Sequence, residues 1–142
     1  MDTPQELKAR ALRYLVRREH SRDELARKLA PHAESQEILE GTLNWLESTN
    51  KLSNQRFAEV RAHQLARKYG AARIRQDLKA KGIDDYPVSA AGELERARAI
   101  LARKYRTPPT TPQERAKRAR FLQGRGFSGD VIHRLVLRGE DI

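Results

Sequence analysis

The chain has 142 residues, 38% hydrophobic and 34% charged, with 29 Lys and Arg against 19 Asp and Glu and a formal net charge of +10. No apolar run approaches the roughly 18–20 residues of a membrane helix, residues 1–8 have neither the basic start nor the apolar core of a secretory signal, and zero Cys excludes a disulfide framework, a thiol nucleophile or a Cys-based zinc site. A soluble, intracellular protein of the cytoplasm is expected, its charge suited to a polyanion or to an acidic protein surface.

That charge is skewed. Residues 1–50 hold 8 Lys and Arg against 9 acids, residues 51–91 hold 9 against 4, and residues 92–142 hold 12 against 6. A basic excess confined to the last two thirds points to a contact face rather than to general solubility.

Leu7, Ala11, Leu12, Tyr14 and Leu15 recur at 3–4 residue spacing and predict a first amphipathic helix. Ser21 stands where an N-cap belongs, with Glu24 three residues on, a capping box ahead of Leu25 and Leu29. Ile38, Leu39, Leu43, Trp45 and Leu46 make a third helix ending near Asn50. Ser53 or Asn54 can cap a fourth, striped by Ala58, Ala62, Leu65 and Tyr69 with Phe57 on its flank. After Gly70 a fifth helix buries Ile74 and Leu78 and stops at Gly82. Residues 84–91, interrupted by Pro87, support only a short helix starting at or after the proline. Leu94, Ala97, Leu101 and Tyr105 stripe the next long helix, and residues 107–112 form a Pro-rich loop. Helix resumes over residues 113–123 until Gly124 and Gly126 end it. Ser128 caps a last helix carrying Val131, Ile132, Leu135 and Val136. Strand alternation is missing, and the expected fold class is all-α.

The helices repeat in threes: a long one, a shorter basic one and a closing one. Aligning the second helices puts Leu29, Leu78 and Leu122 in register. Gly82-Ile83 and Gly126-Phe127 follow the latter two as matching stops with apolar anchors, where the first repeat has Pro31-His32-Ala33. Periods of this length indicate a helical array, with repeats over residues 1–50, 51–91 and 92–142. A single irregular bundle is the plainer alternative.

Catalytic chemistry is hard to find. The phosphate-cradling Gly-x-x-x-x-Gly-Lys-Ser/Thr pattern does not occur. His20, His32, His63 and His133 lack paired metal spacing and read as helix-end or surface residues. The acidic pairs Asp23-Glu24 and Asp84-Asp85 sit at predicted helix starts, where the helix dipole favours them. No catalytic residue, metal or cofactor is expected. The basic residues say more. With Ile74 and Leu78 inward, Arg73, Arg75, Lys79 and Lys81 occupy exposed or flanking arcs; Arg115, Lys117, Arg118, Arg120 and Arg125 crowd the helix over 113–123 and its end. Both are second helices, so stacked repeats could align them into one basic track for phosphates, with salt-dependent affinity. Solvated helix faces with scattered ion pairs are the bland reading. The aromatic residues fall on or beside apolar stripes and read mostly as core.

The residues resemble those of the RecX family, bacterial regulators of the RecA recombinase. The resemblance is carried by 18–29, by Leu52 with Arg56-Phe57-Ala58, by 69–78 with Lys81-Gly82-Ile83, and by Lys117 through Arg120-Phe121-Leu122 with Arg125-Gly126-Phe127 and Asp130-Val131-Ile132. Together these span about residues 10–136 in the expected order. Ser53-Asn54 departs from the two acids common there, and Arg118 stands where the family leads one to expect an apolar residue, aligned with inward-pointing Ile74. The resemblance implies an elongated, curved array of three three-helix repeats. It further implies a non-enzymatic regulator that binds the RecA–DNA filament, restrains its ATPase and strand exchange, and touches DNA directly or through the filament; a monomer is the default expectation. A stand-alone DNA-binding helical-repeat protein without a recombinase partner is the alternative, and a hydrolase or nuclease, which would require an ordered metal or a competent acid cluster, a third reading.

Overall fold

The computed structural model describes residues 1–137, and among them every regular element is helical. In chain order these are α1 Pro4–Arg17, α2 Arg22–Leu29 followed by a 3-10 turn, Ala30–His32, α3 Gln36–Ser48, α4 Asn54–Leu65, α5 Ala71–Ala80, α6 Glu93–Lys104, α7 Pro112–Gly124 and α8 Gly129–Ile132, the last continued by a π-helical turn, His133–Leu137. They form two compact units: residues 1–61 with 78–86, and residues 62–77 with the chain from Pro87 onward.

In the first unit, Thr3 and Ser21 cap α1 and α2 and are answered by Glu6 and Glu24, so two capping boxes satisfy N–H groups that a helix start leaves orphaned. With both starts fixed, the leucines at helical spacing turn inward: Leu7 with Ala11, Leu25 with Leu29, then Leu39, Leu43 and Leu46, closed by Leu52. Asn50 takes a left-handed φ of 60° at the end of α3, where the Lys51 N–H returns to the Leu46 carbonyl at 2.9 Å. Half-buried Trp45 packs on this core with the Lys8 and Lys51 ammonium groups 4.6 and 5.2 Å from its ring centre. Ser53, not Asn54, caps α4 by accepting the Arg56 N–H; Asn54 instead accepts the Arg22 N–H at the start of α2. Phe57 is buried core rather than flank, because α4 turns it inward beside Ala58.

The second unit is built on Ala97 and Ile100 of α6, Leu122 of α7, and Phe127, Val131, Ile132, Leu135 and Val136 beyond it. Two expectations fail here. The Tyr69 residue lies outside α4, which ends at Leu65 in a turn whose Lys68 and Tyr69 N–H groups both return to the Leu65 carbonyl. Residues 84–91 hold no helix at all; Pro87 starts none, and the segment leads instead into a turn closed by the Glu93 N–H on the Ala90 carbonyl, which fixes the entry to α6.

The matching stops are real. Gly82 and Gly126 take φ of 83° and 89°, and the N–H groups of Ile83 and Phe127 return to the carbonyls of Leu78 and Leu122 at 2.9 and 3.2 Å. Each anchor side chain is buried. This is a Schellman-type closure, and it puts Leu78 and Leu122 in the register their sequences predict.

Candidate functional site

The start of α5 meets the end of α7 inside the second unit. The Gly70 N–H donates to the Arg125 carbonyl at 2.8 Å and the Ala72 N–H to the Gly126 carbonyl at 3.3 Å. A Cβ on Gly70 would collide with the Gly126 carbonyl oxygen, and one on Gly126 with the Cβ of Arg73. Only two glycines allow backbones this close. No side chain of its own neighbourhood caps α5; Glu93, 6% exposed, reaches across from α6 and accepts the Ala71 N–H at 3.0 Å.

Over this junction sits a cluster of cations held by a ring and by carbonyls. The Arg73 and Arg125 guanidinium groups lie 4.7 and 5.5 Å from the Tyr69 ring centre. Arg73 also donates to the Gly124 carbonyl at 2.9 Å, at the end of α7. Behind it the frayed C-terminus of α4 is closed by arginines: Arg96 donates to the Ala66 carbonyl, Arg103 to Arg67 and Arg125 to Lys68, at 3.1, 3.1 and 3.2 Å. Three consecutive carbonyls thus take three cations, the charge a helix C-terminus prefers.

The nine residues nominated from sequence therefore divide. Arg75 and Lys79 on α5, and Lys117 and Arg120 on α7, are exposed and take part in no ion pair among the described residues. Arg73 and Arg125 hold the junction. Lys81 is half-buried in the first unit and pairs with Glu24 at 3.5 Å. Arg118 is half-buried and turns inward, as its register predicts, with its guanidinium carbon 4.4 Å from the Tyr105 ring centre. An arginine can stand where an apolar residue is expected because an aromatic face accepts its guanidinium. Arg115, half-buried, lines a cavity with Arg118. Sequence reasoning missed Glu93, Arg96 and Arg103, whose partners lie 22, 30 and 36 residues away; no local pattern announces such pairs.

His20 is not a surface residue: it is 2% exposed. Its Nε2 lies 2.7 Å from the Lys28 ammonium, which can only donate, so Nδ1 carries the ring proton and donates to the Arg18 carbonyl at 3.1 Å. Burial holds its pKa below the usual value. Burial pushes Glu24 up, but the hydrogen bonds from Arg18 and the Ser21 N–H, with the charges of Arg18 and Lys81, outweigh it and hold the carboxyl at about 2. Among the described residues no cluster of three or more His, Asp or Glu could hold a metal ion, and no helix is long and apolar enough to cross a membrane.

Three family models, for the first, second and third three-helix domains of RecX, match residues 8–46, 53–91 and 91–136. The chain belongs to the RecX family. Its similarity to the regulatory protein RecX of Ralstonia nicotianae is 50% identity over 139 residues, 94% of this chain and 87% of that one. RecX of Herbaspirillum seropedicae is 50% identical over 131 residues, 88% and 85% of the two chains. The crystal structure of RecX from Lactobacillus salivarius superposes with a TM-score of 0.82 at 22% identity, covering 98% of this chain and 97% of that one, and shares the fold. Three tandem three-helix domains make this an all-helical RecX-family regulator rather than an enzyme.

Proposed function

We propose that this chain binds the RecA–DNA filament and restrains it, lowering RecA's ATP hydrolysis and strand exchange and so limiting recombination and repair. Membership of the family supports the partner. One observation supports the mode: Arg75, Lys79, Lys117 and Arg120 are exposed on α5 and α7 and take part in no ion pair among the described residues. They are the proposed direct contacts to phosphate or to acidic protein. In the second unit Arg73, Arg118 and Arg125 add charge from positions fixed by rings and carbonyls, and Arg115 from the wall of a cavity; in the first, Lys81 contributes least because Glu24 holds it. Contacts of this kind, each modest, sum along a repeating filament. The protein is proposed to act as a cytoplasmic monomer without a cofactor.

Titration against preformed RecA filaments tests this. Sub-stoichiometric protein should slow DNA-dependent ATP hydrolysis. Inhibition that only tracks coating of DNA, and disappears with excess DNA, would instead favour the stand-alone DNA-binding reading. The variant Arg75→Glu with Lys79→Glu should keep its melting temperature and lose filament binding. If those residues meet phosphates, the salt slope should fall by about 2; an unchanged slope removes them from the DNA contact. Arg73 is the wrong choice for such a test, because reversing it also breaks the cap on α7.

A further inference from the structure

We infer that the second unit carries a separate binding cavity for an acidic peptide segment of a partner protein, anchored by one apolar side chain. The cavity holds about 570 Å³, within the usual range of ligand pockets. Its apolar wall is Leu101, Pro109, Leu135 and Val136, and it is lined by Arg98, Arg106, Arg115 and Arg118 with no Asp or Glu among its lining residues. Arg98 is occupied by Glu95 at 2.6 Å. The nearest acid on α7, Glu114, is taken by the Thr110 N–H and hydroxyl, at 2.5 and 3.0 Å, which fixes the proline loop forming one side. Arg106 and Arg115 take part in no ion pair among the described residues.

A second observation marks the same place. Tyr105 lines the cavity, and its hydroxyl is buried with no hydrogen-bond partner. A buried hydroxyl left unpaired is costly; this one is sealed from solvent, so it donates to a carboxylate or peptide carbonyl in the cavity only once the ring or the arginine over it shifts. Arginines that recognise carboxylates in pairs and an aliphatic wall describe a Leu- or Phe-bearing acidic stretch. A nucleobase fits less well, since base binding needs a free aromatic face. Arg118 covers Tyr105 at 4.4 Å, and Lys104 and Arg125 lie over Phe121 at 4.8 and 4.9 Å.

The test uses the full chain and a fluorescein-labelled peptide of Asp and Glu around a central Leu-Phe pair, read by anisotropy. Replacing Leu-Phe with Ser-Ser should weaken binding about tenfold, as should Arg106→Glu with Arg115→Glu in the protein. Ala102→Trp, at an exposed residue of the cavity wall, should block the peptide while leaving the melting temperature unchanged. Tyr105→Phe should weaken binding a few-fold in a correctly melting protein. Arg75→Glu with Lys79→Glu should leave the peptide bound, so loss of the filament contact and loss of this site are separate results. Equal binding of the Ser-Ser peptide would reduce the site to non-specific charge and overturn the inference. So would an unlabelled oligo-dT that displaces the peptide and loses affinity with Ala102→Trp, which would make the cavity a nucleic-acid site.

Discussion

Arg22 in the first unit and Arg125 in the second are both half-buried, yet they are held by opposite means. Arg22 reaches Glu40 at 2.7 Å and also Glu47, whereas Arg125 rests on Tyr69 and Phe121 and donates to a carbonyl. The pattern extends beyond them. Arg10, Arg18 and Arg56 of the first unit pair with Asp2, Glu24 and Glu19; Arg73, Arg96, Arg103 and Arg118 of the second meet carbonyls or rings. By sequence the first unit has 13 Lys and Arg against 12 acids, net +1, and the second has 16 against 7, net +9. A carboxylate fixes a guanidinium and cancels it. A carbonyl or a ring face fixes it and leaves its charge outward. The second unit therefore orders its cations while keeping its field, which is what a surface for polyanions or acidic proteins requires.

The strongest disruptions should separate the units. Leu43→Ala should cost about 2–5 kcal/mol, and hydrogen exchange should place the lost protection in residues 1–61. Gly126→Ala forces a side chain into left-handed backbone and against Arg73, and should cost about 2–4 kcal/mol with the loss in residues 62–77 and beyond Pro87. A Gly126→Ala protein that melts like the parent would mean that the close approach is not as described. Tyr69→Ala removes the seat of two arginines and should cost about 1–3 kcal/mol, little changed by salt and restored by Phe in urea unfolding. Arg22→Ala should cost about 1 kcal/mol, shrinking at high salt because its partners are solvent-exposed carboxylates.

The last contrast is in pH. Glu24 has a lower pKa folded than unfolded, so protonation favours unfolding. Its contribution is complete above 4.5 and is lost as pH falls toward about 2. His20 behaves alike in sign: its lowered pKa means that stability present above 6.5 declines as pH falls. Both belong to the first unit, and Glu24→Gln should flatten the acid limb of the melting-temperature profile there.

What could be read from sequence was what is local. The Ser21–Glu24 box, the Leu29, Leu78 and Leu122 stripe positions and the two glycine stops depend on neighbours three to five residues away, and each is where its spacing puts it. Tyr69 was misplaced because helical spacing continues past Leu65, while the backbone leaves the helix to bring Gly70 against Gly126. The glycines were visible as punctuation; their close contact, 56 positions apart, was not. For the candidate site, composition named basic residues without their states. Whether an arginine is free, stacked or hydrogen-bonded depends on side chains brought together by the fold, as Arg118 on Tyr105 and Arg73 on Tyr69 illustrate.

Trp45 is the sole tryptophan of the chain, and it lies against the first unit's core between two lysines. Its emission consequently reports the environment of one unit alone. The other unit, with Tyr69 and Tyr105 under arginines, has no such lamp and is seen only by tyrosine absorbance or by exchange. A mutation there can loosen half the molecule while the tryptophan spectrum stays unchanged, so fluorescence by itself would count a partly unfolded protein as native.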